Sequence, residues 1–303
     1  TEYRNVREVK PDVVVSDSRF SAVLASLMAG VPVVAILNQP RVLLPGLPGR
    51  VPGLQKLVDL GSGYFWSLSR AVIVPDFPPP YTIGEDHVRG LPARIASRIE
   101  FSGPLVEVPR EPSPLIDSNG KNVVLFMISG PEAERKPLEE LVDHIIRRGI
   151  PNDIFLLVSL GQPGGGDLVA GGEGYRIYRW IEDKWAAMAS ADLVVSRGGH
   201  TSIAESLLLG KPLLLIPVPG HTEKLANSRS VERKGLGRVL SQEILNQGDP
   251  ARGFFEAVRR ILEGPIPDRA RKFSRRFSSW RSMARVEAII EGVADTYSIL
   301  SES

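Results

Sequence analysis

The stretch ADLVVSRGGHTSIAESLLLGKPLLLIPVPGHTEKLA, residues 191–226, decides the fold class of this chain. Its first strand-like run, 192–195, is rich in valine and is followed by Gly198 and Gly199, which is typical of a buried parallel strand that ends in a tight turn. A helix is predicted to start near Thr201 or Ser202, and the next strand is predicted over 213–216. Strand, turn, helix and strand in this order indicate an α/β fold with a parallel sheet.

The glycine turn and the helix after it form a predicted site for a phosphate-bearing ligand. Glycine lets backbone N–H groups approach an anion closely, and the positive end of the helix dipole attracts negative charge. Ser202 and Glu205 also fit a capping box, in which both side chains only satisfy backbone donors of the first turn. Arg197 and His200 beside the glycines favour the ligand site. The polar segment 217–227 follows the next strand, at the sheet edge where open α/β sheets bind ligands.

This turn and helix resemble the donor-binding half of GT-B glycosyltransferases, and most closely those of family 28. That family includes the bacterial enzyme that adds N-acetylglucosamine to lipid-linked muramyl-pentapeptide, together with uncharacterised archaeal relatives. The match runs position by position over Arg197, Gly198, Gly199, His200, Thr201, Ser202 and Glu205. The resemblance implies that His200, Thr201 and Ser202 contact the donor diphosphate and that Glu205 binds the ribose hydroxyls.

The resemblance extends to three further segments of the donor half. Glu223 matches an acidic residue that contacts the transferred sugar, and Asn227 matches an asparagine four residues later. Lys224 replaces a commoner glutamine and leaves the identity of the sugar open. His221, in the same segment, is counted among the donor contacts. The remaining donor contacts that the resemblance implies are Ser129 and Gly130, after the predicted strand 121–128, and Ile181, whose backbone corresponds to the one that holds uracil.

Composition agrees with a two-domain enzyme and excludes several other classes. The chain has 303 residues, of which 43% are hydrophobic and 24% charged, and its net charge of +2 is too small to indicate nucleic-acid binding. The absence of cysteine excludes disulfides and thiolate metal sites. Four scattered histidines and no DxD motif predict neither a metal site nor a cofactor.

The expected architecture is GT-B, with two Rossmann-like, doubly wound parallel-sheet domains that face a cleft. The proline-rich segment 104–120 is predicted to be a linker between an acceptor-side domain, 1–103, and a donor-binding domain, 121–265. Residues 266–303 are predicted to form a carboxyl-terminal helix that returns to the first domain, as in GT-B enzymes.

The first domain offers fewer candidate residues. Asp17, at the end of a predicted strand, is the candidate general base, although an Asx turn or a helix N-cap also explains it. Asn38 and Gln39 are acceptor-side candidates that a turn before Pro40 explains almost as well. In the family, an amino-terminal Gly-Gly-His-like loop carries the probable base. No such loop is present here, so the amino-terminal part of this domain is expected to be missing.

The segment 41–58 mixes leucine, proline, glycine and basic residues, and predicts either an apolar surface on an anionic bilayer or an ordinary loop over the core. The basic and aromatic residues of 269–285 recur at helical spacing and are expected to pack on the protein. The sequence shows no transmembrane segment and no signal peptide. A cytoplasmic protein with peripheral contact to the inner membrane face is therefore predicted.

The favoured function is an inverting, metal-independent glycosyltransferase that moves a sugar, with N-acetylglucosamine preferred, from a UDP-sugar to a lipid-linked or polysaccharide acceptor. A UDP-N-acetylglucosamine 2-epimerase is one alternative, although epimerases carry acidic residues after the glycines. A donor-binding subunit that needs a membrane partner is another. The sequence leaves the acceptor, the linkage and the oligomeric state open. Scarce methionine, no cysteine and 25 prolines indicate a thermophilic source.

Overall fold

A computed structural model describes residues 1–301 apart from 45–50, 52, 110, 163, 165 and 247, and gives only the backbone for 298–301. The chain divides into two compact units. The first unit combines Thr1–Val106 with Trp280–Ser303, and the second is Glu107–Ser279. Each unit has its own β-sheet. The α/β class and the parallel sheets predicted from the sequence are confirmed.

The first unit is built on a parallel sheet whose described strands follow the order of the chain, β1-β2-β3-β4. The strands are β1 (Val14–Asp17), β2 (Val33–Ile36), β3 (Ala71–Val74) and β4 (Ile99–Phe101). The helices of this unit are α1 (Glu2–Val9), α2 (Phe20–Met28), α3 (Leu54–Trp66), α4 (Glu85–Val88), α5 (Ala93–Ala96) and α12 (Ser282–Ser301).

Apolar side chains cover both faces of this sheet. On one face Val23 of α2, Trp66 of α3 and Ile95 of α5 form a buried cluster with residues of β2 and β3. On the other face Val286 of α12 packs against Val34 and neighbouring residues of the same two strands. The short strands are continuous apolar runs because helices cover both of their faces.

The carboxyl-terminal segment joins the first unit at Trp280, later than the predicted boundary at 266. The Trp280 Nε1–H donates a hydrogen bond to the Ser102 carbonyl oxygen at 2.6 Å. The predicted single helix is two helices, α11 (Ile266–Phe277) and α12. Helix α11 belongs to the second unit because Phe273 is buried there and the Ser274 hydroxyl donates to the Leu208 carbonyl oxygen at 2.6 Å.

The second unit has a seven-stranded sheet in its described residues, with the order β11-β10-β9-β5-β6-β8-β7. Among these described strands, only β7 is antiparallel to its neighbour. The strands are β5 (Asn122–Met127), β6 (Ile154–Ser159), β7 (Leu168–Gly172), β8 (Tyr175–Tyr178), β9 (Leu193–Ser196), β10 (Leu213–Leu215) and β11 (Gly237–Val239). The order runs outward from β5 in both directions, which makes this sheet doubly wound.

Helices cover the second sheet. They are α6 (Glu132–Arg148), α7 (Lys184–Ser190), α8 (His200–Leu208), α9 (Thr222–Arg233), α10 (Pro250–Leu262) and α11, with a 3₁₀ turn at Gln242–Asn246. Leu138 and Ile145 of α6 and Phe254 of α10 are fully buried in one cluster with residues of β5 and β6. The glycine-rich segment 161–174 contains β7, whose Gly171 and Gly172 pair with Arg176 and Tyr175 of β8.

No helix among the described residues is both long and apolar enough to cross a membrane. The same residues contain no group of three or more His, Cys, Asp or Glu side chains arranged to hold a metal ion.

We expect Gly103→Ala to destabilise the first unit by about 2–4 kcal/mol, because φ at Gly103 is +85° and a Cβ atom would overlap the Trp280 indole. Gly90→Ala is the matched control, because φ there is +78° but a Cβ atom meets nothing within 4 Å. Thermal unfolding should show a cost of about 1–2 kcal/mol for the control. Equal losses in both variants would contradict the packing role of Trp280.

Candidate functional site

The candidate site lies where the strand order of the second sheet reverses. Strands β5 and β9 are parallel neighbours, with Leu125 opposite Val194, so their carboxyl ends lie at the same sheet edge. Ser129 and Gly130 follow β5 and are exposed, and the Gly198–Gly199 turn follows β9. Ligands of open α/β sheets bind at such a reversal point.

Gly198 and Gly199 form a tight turn between β9 and α8. Gly198 has φ of +82°, and a Cβ atom there would lie 2.8 Å from the Lys224 carbonyl oxygen and would overlap the Ser228 hydroxyl. Gly199 is the N-cap of α8, which begins at His200, and as a glycine it has no side chain that could cap the helix. The helix starts two residues before Ser202, so the capping box of Ser202 and Glu205 predicted as an alternative is not formed.

Glu205 lies one helical turn into α8 and is only 3% exposed. Its Oε1 atom accepts a hydrogen bond from Lys184 Nζ of α7 at 2.6 Å, and the lysine side chain is 45% exposed. Lys184 Nζ also lies 4.8 Å from the centre of the Trp185 ring. A buried carboxylate with a partly exposed cation as its partner keeps acceptor capacity for hydroxyl groups, because an ionised carboxylate has about four lone-pair sites.

Arg197 is buried beneath the turn, with 2% of its surface exposed. Its Nη1 and Nη2 atoms donate to the Ile216 carbonyl oxygen at 3.1 Å and to Gln242 Oε1 at 2.7 Å, whereas Nε has no hydrogen-bond partner. Burial lowers the pKa of the Arg197 guanidinium, and the charge of Glu134 opposes this change. Arg197 therefore places a positive charge behind the turn and does not present its side chain at the surface.

Helix α9 brings a second set of polar groups to this edge. Asn227 is 1% exposed, and neither its amide nitrogen nor its amide oxygen has a hydrogen-bond partner. The Nδ1 atom of His221 is likewise buried without a partner, and Glu223 is partly exposed in the first turn of α9. Buried polar groups without partners are uncommon in proteins, and they often mark functional positions.

Lys224 and Glu134 connect the two glycine loops. Lys224 Nζ lies 2.5 Å from Glu134 Oε2, in the first turn of α6. A Cβ atom on Gly130 would lie 2.8 Å from the same carboxylate oxygen. Hydrogen bonding to Lys224, with the charges of Lys224, His221 and Arg197, lowers the pKa of the Glu134 carboxyl against the opposing effect of burial.

Ile181 follows β8 at the same edge of the sheet and is 8% exposed. Its backbone N–H donates to the Ser159 hydroxyl at 3.3 Å, and Ser159 is the last residue of β6. Of the first-turn residues of α8, Thr201 is exposed and Ser202 is partly exposed. The Thr201 and Ser202 side chains are thus accessible at the sheet edge, whereas the Ile181 N–H is held by Ser159.

The first-unit candidates lie at the carboxyl ends of β1 and β2. Asp17 is exposed and accepts a hydrogen bond from the Ser18 hydroxyl at 3.3 Å. Neither residue caps α2, whose N-cap is Arg19, so the predicted capping alternative is not formed. Asn38 is exposed and Gln39 partly exposed after β2. Their roles in acceptor binding remain predictions.

Sequence reasoning missed four residues of this site: Glu134, Ser159, Lys184 and Gln242. Glu134 had one usable signal, since it is an acidic residue in the first turn of a helix that follows a glycine loop. Lys184 and Gln242 had no such signal. Lys184 contacts Glu205, which is 21 residues away in the chain, and Gln242 contacts Arg197, which is 45 residues away.

We expect Gly198→Ala to lower the free energy of unfolding by about 2 kcal/mol or more, because both φ and the space at Gly198 exclude a Cβ atom. Gly199→Ala is the control, with φ of −65° and nothing within 4 Å of its Cβ position. It should cost about 1 kcal/mol or less in thermal unfolding. A Gly199→Ala variant as unstable as Gly198→Ala would contradict this description of the turn.

Comparison with known proteins gives consistent matches. Residues 162–264 match the family described as the glycosyltransferase family 28 C-terminal domain. An uncharacterized glycosyltransferase of Methanosarcina acetivorans is 31% identical over 264 residues, and the match covers 85% of this chain and 66% of that protein. The Geobacillus thermodenitrificans UDP-N-acetylglucosamine--N-acetylmuramyl-(pentapeptide) pyrophosphoryl-undecaprenol N-acetylglucosamine transferase is 27% identical over 308 residues, covering 96% of this chain and 76% of that protein.

The fold comparison agrees with the sequence matches. The crystal structure of the glycotransferase of kitacinnamycin superposes with a TM-score of 0.67 at 19% identity, covering 95% of this chain and 77% of that chain. This likeness concerns the fold alone. The fold and the sequence matches together identify the chain as a GT-B glycosyltransferase that resembles the family 28 enzymes.

Proposed function

We propose that the second unit binds a UDP-sugar, with N-acetylglucosamine as the preferred sugar, and that the protein transfers this sugar to a lipid-linked acceptor. The observation that carries the donor assignment is the convergence of two glycine loops and of buried polar groups without partners at the β5–β9 edge. The activity for which the Geobacillus relative is named supports the choice of donor and acceptor.

The diphosphate is proposed to bind at the amino terminus of α8. Backbone N–H groups after Gly199 and the helix dipole stabilise negative charge there, and the buried Arg197 guanidinium adds positive charge behind the turn. His200, Thr201 and Ser202, the first three residues of α8, are the proposed side-chain contacts. Negative charge that develops on the leaving diphosphate is therefore stabilised by N–H groups that are already in position.

The reaction follows as an inverting displacement. The acceptor hydroxyl oxygen attacks the anomeric carbon, and the bond between that carbon and the β-phosphate oxygen breaks with its electron pair on UDP. The hydroxyl proton passes to a base, for which Asp17 is the candidate. Glu223 and Asn227 are proposed to orient the sugar, and the Ile181 backbone is proposed to bind uracil.

The acceptor proposal has support from an apolar helix surface on the first unit. It consists of Phe20, Leu24, Leu27 and Met28 on α2 and Leu57, Leu60 and Tyr64 on α3, all at least 40% exposed. Their spacing puts each set on one face of its helix. The two helices are in contact, because the Phe20 ring of α2 stacks on the Trp66 ring of α3 with 4.4 Å between the ring centres. Part of the predicted membrane segment, 45–50 and 52, lies outside the described residues.

Cations lie around the apolar helix surface. Lys56 is exposed on α3, the Arg94 guanidinium lies 5.2 Å from the centre of the Tyr64 ring, and the Arg19 side chain is 73% exposed. Such a surface suits an anionic bilayer. The apolar side chains insert among the acyl chains, and the basic side chains are attracted to the negatively charged headgroups. We propose that this surface rests on the membrane that holds the lipid-linked acceptor.

We expect Glu205→Gln to weaken UDP binding by about 1–3 kcal/mol, because the amide removes charge-assisted hydrogen bonds to the ribose hydroxyls. The measurement is calorimetric titration with UDP, UDP-N-acetylglucosamine, UDP-glucose and GDP. Lys184→Met is the control, since it breaks the same ion pair and keeps the carboxylate. An unchanged UDP affinity in Glu205→Gln, or an equal loss in Lys184→Met, would contradict the ribose assignment.

Incubation with UDP-N-acetylglucosamine tests the reaction itself. Sugar transfer to a lipid-linked acceptor supports the proposal, whereas release of N-acetylmannosamine without an acceptor would support an epimerase.

We expect Leu24→Glu and Leu60→Glu each to reduce binding to vesicles that contain phosphatidylglycerol by about tenfold, because each removes a leucine from contact with lipid. Sedimentation with the vesicles measures the bound fraction. Val169→Glu is the matched control, because Val169 is 52% exposed in the second unit. Equal losses in all three variants would show that added negative charge alone explains the effect.

A further inference from the structure

Glu134 is acidic, although it lies beside the place where the negatively charged diphosphate of the proposed donor would bind. Its carboxylate lies in the first turn of α6 and close to Gly130, in the loop that follows β5. The Gly198–Gly199 turn follows the neighbouring strand and packs against the Lys224 carbonyl oxygen. Glu134 and Lys224 therefore lie between the amino termini of α6 and α8, both of which favour an anion.

Three basic side chains surround Glu134. Lys224 Nζ is in hydrogen-bond contact with the carboxylate, and His221 and Arg197 act on it through their charges. The side chains of Glu134 and Lys224 are 22% and 18% exposed, so solvent screens the pair only in part. Because these same cations lower the pKa of Glu134, the carboxyl is ionised at neutral pH.

We propose that Glu134 is an internal anion that competes with the donor diphosphate for Lys224 and thereby sets donor affinity. This inference rests on the proposed UDP-sugar site. Without donor, Lys224 is neutralised by Glu134. When donor binds, the ammonium exchanges the carboxylate for a phosphate oxygen, and Glu134 remains near the ligand as a like charge. The exchange weakens donor binding and eases release of UDP after transfer.

Glu134→Gln keeps the size of the side chain and removes its charge. We expect it to tighten UDP binding about tenfold, because it removes the repulsion between the Glu134 carboxylate and the diphosphate. Tenfold is the scale expected for one unit charge that solvent screens in part. Uridine has no phosphate, so its affinity, measured by competition against UDP, should stay within about twofold. Lys224→Gln should change UDP affinity in the opposite direction, because it removes the cation for which the two anions compete.

Glu132→Gln is the matched control. Glu132 lies in the same first turn of α6 and loses the same charge, but it is exposed and belongs to no ion pair among those found in the described residues. It should leave UDP affinity within about twofold, because solvent screens an exposed charge. Thermal unfolding of each variant checks the fold, and Glu134→Ala provides a second variant with the same expected sign.

The outcomes separate the inference from the proposed function. Tighter UDP binding with unchanged uridine binding in Glu134→Gln supports the internal anion. Weaker or unchanged UDP binding in that variant, or an equal gain in Glu132→Gln, overturns it while the donor site stands. Absence of UDP binding in both wild type and Glu134→Gln would overturn the donor site and the inference with it.

Discussion

Parallel pairing of β5 with β9 is the constraint on which the rest of the candidate donor site depends. The register sets Leu125 opposite Val194, and the paired residues of both strands are fully buried. A shift of one residue would turn each side chain of β9 to the opposite face of the sheet and change its packing against the covering helices. The register is therefore strongly specified. The pairing also brings the loops after both strands, and the amino termini of α6 and α8, to one place.

The charged groups at this edge differ in how their burial is compensated. Glu205 and Glu134 each have a lysine partner, whereas Arg197 is held by a backbone carbonyl and an amide oxygen. Taking a cation out of water is costly unless it is hydrogen-bonded, and Arg197 bonds through two of its nitrogens. Because its hydrogen-bond partners are neutral, the positive charge of Arg197 is not cancelled and can act on a bound anion. This suits a site that stabilises a leaving diphosphate.

The parts of the structure that depend on local sequence were predictable. Valine and leucine runs predicted β5, β9 and β10, and the two glycines predicted the turn before α8, because backbone conformation at these positions is a local property. The side-chain pairs were not predictable, since Lys184 meets Glu205 only after α7 and α8 have packed beside the sheet. The end of α11 was missed because the serines at 278, 279 and 282 are tolerated within helices yet also favour breaks.

The first unit is formed from two separate parts of the chain, and this has a consequence for biosynthesis. Its sheet face around Val34 is covered by α12, which leaves the ribosome after the whole of Glu107–Ser279. The second unit is continuous, so its contacts can form as soon as it emerges. Until Trp280 and α12 have been synthesised, this apolar sheet face of the first unit stays uncovered and is accessible to chaperones that bind nascent apolar segments.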